Sequence, residues 1–253
     1  MDRRDWVALV LKASLLGAGG CASATDPGGG GGPYNHRLAP GASARDFLTA
    51  ANYDRLVVQV QYVNGFPPSS VGLQHLQDFL GARVNKPGGI VIQVDAPLQI
   101  PAQATYTTAA VRAIELAHRS TFTTGATLAA YLLFLNGEYS PETNVLGIAY
   151  NNTSMAIFGE KIGQYTGGLG QPSPSTVEGT VANHEAGHIL GLVANGSAMQ
   201  VPHQDAANGN HCADTGCLMY YAVRTSDFIS NLLGGMPSLD ANCLADLQAN
   251  GGN

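Results

Sequence analysis

Along the chain the spacing of apolar residues switches between a strand-like and a helix-like period. Leu56-Val57-Val58-Gln59-Val60-Gln61-Tyr62-Val63 partly alternates, as a strand does. Gly65-Phe66-Pro67-Pro68 breaks it, and Ser70 to Arg83 follows with Leu73, Leu76 and Leu80 on one helical side. Gly88-Gly89 leads into a second strand, Ile90 to Val94, and Thr107 to Arg119 reads as a second helix with Val111, Ile114 and Leu116 apolar. Tyr131-Leu132-Leu133-Phe134-Leu135 is nearly continuous in apolar character, which predicts a central strand buried on both faces. Val145–Tyr150 and Ser154–Phe158 flank Asn151-Asn152-Thr153, a hairpin signal.

A third helix is the most strongly specified. Ser175-Thr176-Val177-Glu178 has capping-box spacing, a hydroxyl at the N-cap and a carboxylate three residues on. Val177, Val181, His184, His188 and Leu192 share one side at 3–4 spacing, and Gly191 ends the helix, being free to take a positive φ. Residues 225–249 read as two short helices, capped by Thr225 or Ser226 and by Ser238 and separated by Gly234-Gly235. Strands alternating with helices imply an α/β fold: a mixed, mostly parallel sheet with helices packed on it.

Composition narrows the function. A chain of 253 residues with 45% hydrophobic residues buries a substantial core, as one domain with appendages. The formal net charge is −6 and there is no basic run, which argues against nucleic acid as a partner. Residues 1–20 read as a signal peptide: Arg3 and Arg4 precede a short apolar run, and Ala18-Gly19-Gly20 leads to Cys21. The pattern resembles a bacterial lipoprotein signal, in which Cys21 would be lipidated, although Ala18 replaces the usual Leu and Lys12 interrupts the apolar run. Residues 21–45, with Pro27-Gly28-Gly29-Gly30-Gly31-Gly32-Pro33, read as a flexible tether. Residues 46–253 then form the folded domain, exported and lipid-anchored to a bacterial membrane or else secreted.

The chemistry concentrates in His184-Glu185-Ala186-Gly187-His188-Ile189-Leu190-Gly191. Four residues apart on a helix, His184 and His188 lie on one face and can direct two imidazoles at one ion. Zinc (Zn2+) takes neutral imidazole at about 2.0–2.1 Å in tetrahedral geometry, and Glu185 would stand beside it as a general base. A third protein ligand is required further on. His203, Asp205, His211 and Asp214 are available, and no Glu follows Glu185.

His211 opens His211-Cys212-Ala213-Asp214-Thr215-Gly216-Cys217-Leu218-Met219, or His-Cys-x4-Cys-x-Met. This resembles the segment that follows the zinc helix in archaemetzincins, of the metzincin clan of zinc proteases. The resemblance covers 184–191 and 211–221. The family places its third His where this chain has Ala194, so His211 arrives 17 residues late. The resemblance implies a zincin-like domain with an active-site helix, a Met-turn and a small helical C-terminal part. It implies His184, His188 and His211 as zinc ligands with His203 the alternative third, Met219 as the floor under the metal, and Tyr221 beside the metal or the oxyanion. His203 with Asp205 could instead serve a second ion. Archaemetzincins also carry a further Cys pair that completes a second, structural zinc site; only Cys243 stands there, so a four-cysteine site is not available. A Cys212–Cys217 disulfide is the simpler expectation in an oxidising compartment.

The function expected is a zinc endopeptidase acting on a peptide or protein substrate as a monomer. A metal-activated water, with Glu185 as base, attacks the carbonyl, and the Val145–Tyr150 segment pairs with the extended substrate as an edge strand. The alternative is a surface-tethered binding module whose metal site is structural or inactive. Glu185 argues against that alternative, since a purely structural site has no use for it.

Overall fold

The computed structural model describes residues 33–253. The expected signal, Cys21 and the first part of the tether, residues 21–32, lie outside them. In chain order the elements are α1 (Ala44–Leu48), β1 (Arg55–Tyr62), α2 (Ser70–Arg83), β2 (Gly89–Val94), β3 (Thr105–Tyr106), α3 (Thr108–His118), β4 (Thr127–Leu135), β5 (Glu138–Tyr139), β6 (Gly147–Asn151), β7 (Ser154–Phe158), α4 (Gly159–Gln164), α5 (Pro174–Ile189) and α6 (Ala241–Ala249). Two 3-10 segments, Tyr221–Arg224 and Ser226–Gly234, precede α6.

The main sheet has the order β2-β1-β4-β7-β6. Its pairs are parallel except β6–β7, which places one antiparallel strand at the edge. Helical crossovers force parallel pairing, whereas the two-residue turn Asn152-Thr153 permits only the antiparallel hairpin. The apolar run of β4 sits at the centre and divides by parity. Leu128, Ala130, Leu132 and Phe134 join the core beneath α2 and α5, while Tyr131, Leu133 and Leu135 join a second core with Val111 and Ile114 of α3. The period-2 alternation thus feeds two layers at once. Truncating a residue such as Leu132, which has no exposed surface, would cost about 2–5 kcal/mol. No described helix is long and apolar enough to cross a membrane.

Several expectations change. Residues 33–45, read as tether, lie against the domain. Asn152 donates through Nδ2 to the Asn35 carbonyl and to Ser43 Oγ, and its Oδ1 accepts from the Leu38 amide. The hairpin turn supplies polar groups that composition alone does not reveal. Leu116, read as apolar-face, is exposed. The first of the two C-terminal helices is 3-10, and α6 is capped by Asp240, not Ser238: its carboxylate accepts from the Cys243 amide, as a carboxylate at a helix N-terminus should. The short β3–β5 pair and the helices α1 and α4 were not legible in the periodicity.

Candidate metal centre

Helix α5 carries the centre. Its cap is Ser173, whose hydroxyl accepts from the Thr176 amide, with Pro174 in the first turn. The expected capping box at Ser175 and Glu178 is not formed. Glu178 reaches instead to the Ser69 amide at 2.7 Å and joins α5 to the start of α2. Every residue from Val177 to Ile189 is buried, because the helix packs against α2, β6, β7 and the first 3-10 segment. Gly191, at φ 79°, then turns the chain away.

The structure brings His184, His188 and His211 together. Each offers one ring nitrogen, and all three lie within 4.8 Å of one another. Ring centroids are 4.9 Å apart for His184–His188, 5.3 Å for His184–His211 and 4.9 Å for His188–His211. His184 Nδ1 lies 2.7 Å from the Leu218 carbonyl, and His211 Nδ1 lies 2.6 Å from the Asn208 carbonyl. A carbonyl only accepts, so both Nδ1 atoms carry the proton and both Nε2 atoms present lone pairs. Those Nε2 atoms are buried and have no partner in the protein. Burial, reinforced by repulsion among the rings, holds His184 and His188 well below the usual imidazole range; burial also lowers His211. Buried, neutral and unsatisfied imidazoles with orienting backbone carbonyls fit a zinc ion well.

Glu185 is also buried, and its Oε1 has no partner. Burial raises its pKa to about 7, opposed by the Arg224 charge and by the Ala149 amide of β6. Arg224 lines the same cavity, of about 380 Å³, with Glu185, His188, His211, Ile148 and Ala149. Sequence reading missed it, although a signal existed: Arg224 is the one Lys or Arg after Glu185. Met219 is fully buried under the helix. A Cβ added at Gly187 would come within 2.3 Å of Met219 Sδ, so the Gly inside the motif admits the Met beneath it. Tyr221 follows Met219 by two residues and opens the first 3-10 segment. Its ring packs on Tyr220 at 4.8 Å, and it is not part of the cavity lining.

His203, the alternative third ligand, lies elsewhere. Its Nδ1 faces Cys212 Sγ at 3.3 Å and its Nε2 pairs with Asp246 at 2.8 Å. Cys212, Cys217 and Cys243 are free thiols, so the expected Cys212–Cys217 disulfide is not formed. Cys217 Sγ is 3.7 Å from Cys243 Sγ, against about 2.05 Å for a disulfide. Asp205 folds back within its own loop to Ala207 and Asn208. A larger cavity, about 570 Å³, opens between α3 and the hairpin, but the Arg112 and Arg119 groups beside it are already paired with the protein.

Comparison with solved structures gives the fold a class. Archaemetzincin from Methanopyrus kandleri matches at a TM-score of 0.53 and 15% identity, over 78% of this chain and 96% of that one. Metalloproteinase-II from Bacteroides fragilis matches at 0.45 and 16%, over 79% of this chain and 54% of that one. No family model and no curated protein matches the sequence. The chain therefore has a fold similar to that of archaemetzincin, a mixed α/β domain with a mostly parallel sheet.

Proposed function

We propose that the chain is a zinc-dependent endopeptidase, with His184, His188 and His211 as ligands and Glu185 as general base. The observation that carries this is the convergence of three imidazole nitrogens, two of them buried without a protein partner, beside a buried carboxylate with a free oxygen. A structural site alone would not need that carboxylate. When bound, zinc supplies Lewis acidity toward water and toward a carbonyl oxygen.

The protein's residues do the rest. Glu185, with a pKa near 7, is poised to take a proton from water and return it to the leaving amine. The Ala149 amide holds its carboxylate toward the edge strand β6. Arg224 presents positive charge to the same cavity and takes the oxyanion-stabilising role expected of Tyr221. Among the described residues strand β6 pairs on one side only, with β7, and Ile148 and Ala149 line the cavity. An extended peptide would add to that open edge through backbone hydrogen bonds.

The test is Glu185→Gln. Peptide hydrolysis should fall by about 10²–10⁴-fold, the usual contribution of a general base, with zinc content and melting temperature unchanged. Equal activity of the two forms on a broad peptide library would defeat the reading.

A further inference from the structure

The stretch between Ala194 and His211, which the family resemblance does not cover, delivers a ligand without a helix to stand it on. Its two arms pair antiparallel. The Asp205 amide donates to the His211 carbonyl at 2.8 Å, the Ala213 amide donates to the His203 carbonyl at 2.9 Å, and Gln204 faces Cys212. Between the arms the chain reverses on Asp205. The Asn208 amide donates to the Asp205 carbonyl at 3.0 Å, the Ala207 amide donates to Asp205 Oδ1 at 3.1 Å, and Asn208 Nδ2 donates to Asp205 Oδ2 at 2.6 Å. Asp suits this place because its short carboxylate bonds the backbone amide two residues on. Gly209, at φ 74°, then brings the chain back, and Gln204 Nε2 donates to the Gly209 carbonyl at 2.8 Å.

Asn208 is thus gripped by Asp205 at both its amide and its side chain, which fixes the direction of its carbonyl. That carbonyl lies 2.6 Å from His211 Nδ1. Both oxygens of the Asp205 carboxylate are engaged within the turn, and Asp205 is not among the donors that converge on the histidine centre. A ligating imidazole needs its other nitrogen held, because that partner sets the tautomer and the ring orientation; losing it costs about 10–100-fold in metal affinity. On the helical side the partner of His184 is the Leu218 carbonyl, at 2.7 Å. On the loop side Asp205 supplies the partner at one remove.

We infer that Asp205 is a positioning residue for the histidine centre. Its carboxylate holds Asn208 so that the Asn208 carbonyl keeps the His211 proton on Nδ1 and leaves the unpartnered Nε2 for the metal. The clamp gives His211 what α5 gives His184 and His188, a fixed backbone behind the ligand. It also replaces the two roles open to Asp205 in the sequence, third ligand and partner of a second ion. The inference rests on His211 as a ligand and is independent of whether the centre hydrolyses peptides.

The test uses the full chain loaded with zinc. Asp205→Ala should weaken the zinc affinity of the histidine centre by about 10-fold, the lower end of the range, because Asp205 acts through Asn208. Chelator competition reads that affinity as the component that His188→Ala removes, and His211→Ala should weaken it further. Proton–nitrogen NMR of the imidazoles should find the His211 Nδ1 proton in fast exchange with water in Asp205→Ala, while the His184 Nδ1 proton, on the Leu218 carbonyl, stays protected. Asp205→Asn should behave like Asp205→Ala, since an amide there cannot accept from both the Ala207 amide and Asn208 Nδ2. Combining it with Asn208→Asp reverses donor and acceptor, and should restore both the affinity and the protected proton. Unchanged affinity and exchange in Asp205→Ala, release of both protons together, or a double exchange no better than Asp205→Asn would each overturn the inference. Unchanged affinity in His211→Ala would instead remove the three-histidine centre, and this inference with it.

Discussion

The two sides of the histidine centre are held by different means. His184 and His188 stand on a 16-residue helix whose inner turns are buried against α2, β6 and β7, so their spacing follows from helical geometry and a packed core. His211 and Met219 stand on an irregular stretch with little periodic structure, held by scattered backbone bonds such as Cys212 amide to Met219 carbonyl, by burial of Leu218 and Met219, and by side-chain contacts. Asn195 Nδ2 donates to the His188 carbonyl, Asn210 Nδ2 donates to the Val193 carbonyl, and Ser197 Oγ donates to the Leu190 carbonyl. The helical side would hold its shape without an ion. The loop side would gain order from an ion held by His211.

Metal removal should expose this contrast most strongly. Binding free energies of structural zinc reach about 10–16 kcal/mol and appear as folding free energy where the apo site is not preformed. Chelation should therefore abolish amide-exchange protection through residues 195–221 while β4 keeps its own. Uniform loss across both regions would show that the helix is no more self-sufficient than the loop.

Replacing Arg224 tests which residue of the loop side does chemistry. Arg224→Ala should lower kcat by about 10²–10³-fold, or about 2.7–4 kcal/mol, and Arg224→Lys should recover part of it. Tyr221→Phe should leave kcat near the starting value. The reverse ranking would return the oxyanion role to Tyr221.

One close contact between the two sides is Gly187 on Met219. Gly187→Ala forces Sδ to move and should cost about 1–3 kcal/mol, read as a lower melting temperature, with weaker zinc retention against a chelator. An unchanged melting temperature would mean the floor is loose.

The smallest effect concerns the start of the insertion. Val193 and Ala194 have φ of 55° and 58°, a region that side chains rarely adopt. Ala194 is exposed, so Ala194→Gly removes strain without opening a cavity, and the gain should be about 0.5 kcal/mol in denaturant unfolding. A loss would show that the entropy cost of Gly outweighs the strain.

Local pattern made a definite part of this protein legible. The apolar run at 131–135 could only be a strand covered on both faces, and His184 and His188 share a helical face at any tertiary arrangement, because both features follow from backbone periodicity. Tertiary structure decided the rest. The cap moved to Ser173 because Glu178 had a better partner in the Ser69 amide, 109 residues away in the chain. Residues 33–45 proved to be packed because one turn asparagine satisfies their backbone. His211 reaches the helical pair although the chain departs at Ala194, and His203 goes to the thiols, because a strained turn and the Asp246 carboxylate route the insertion. Pairings between groups so far apart in sequence are set by which buried polar atoms find partners in three dimensions, and no local periodicity encodes that choice.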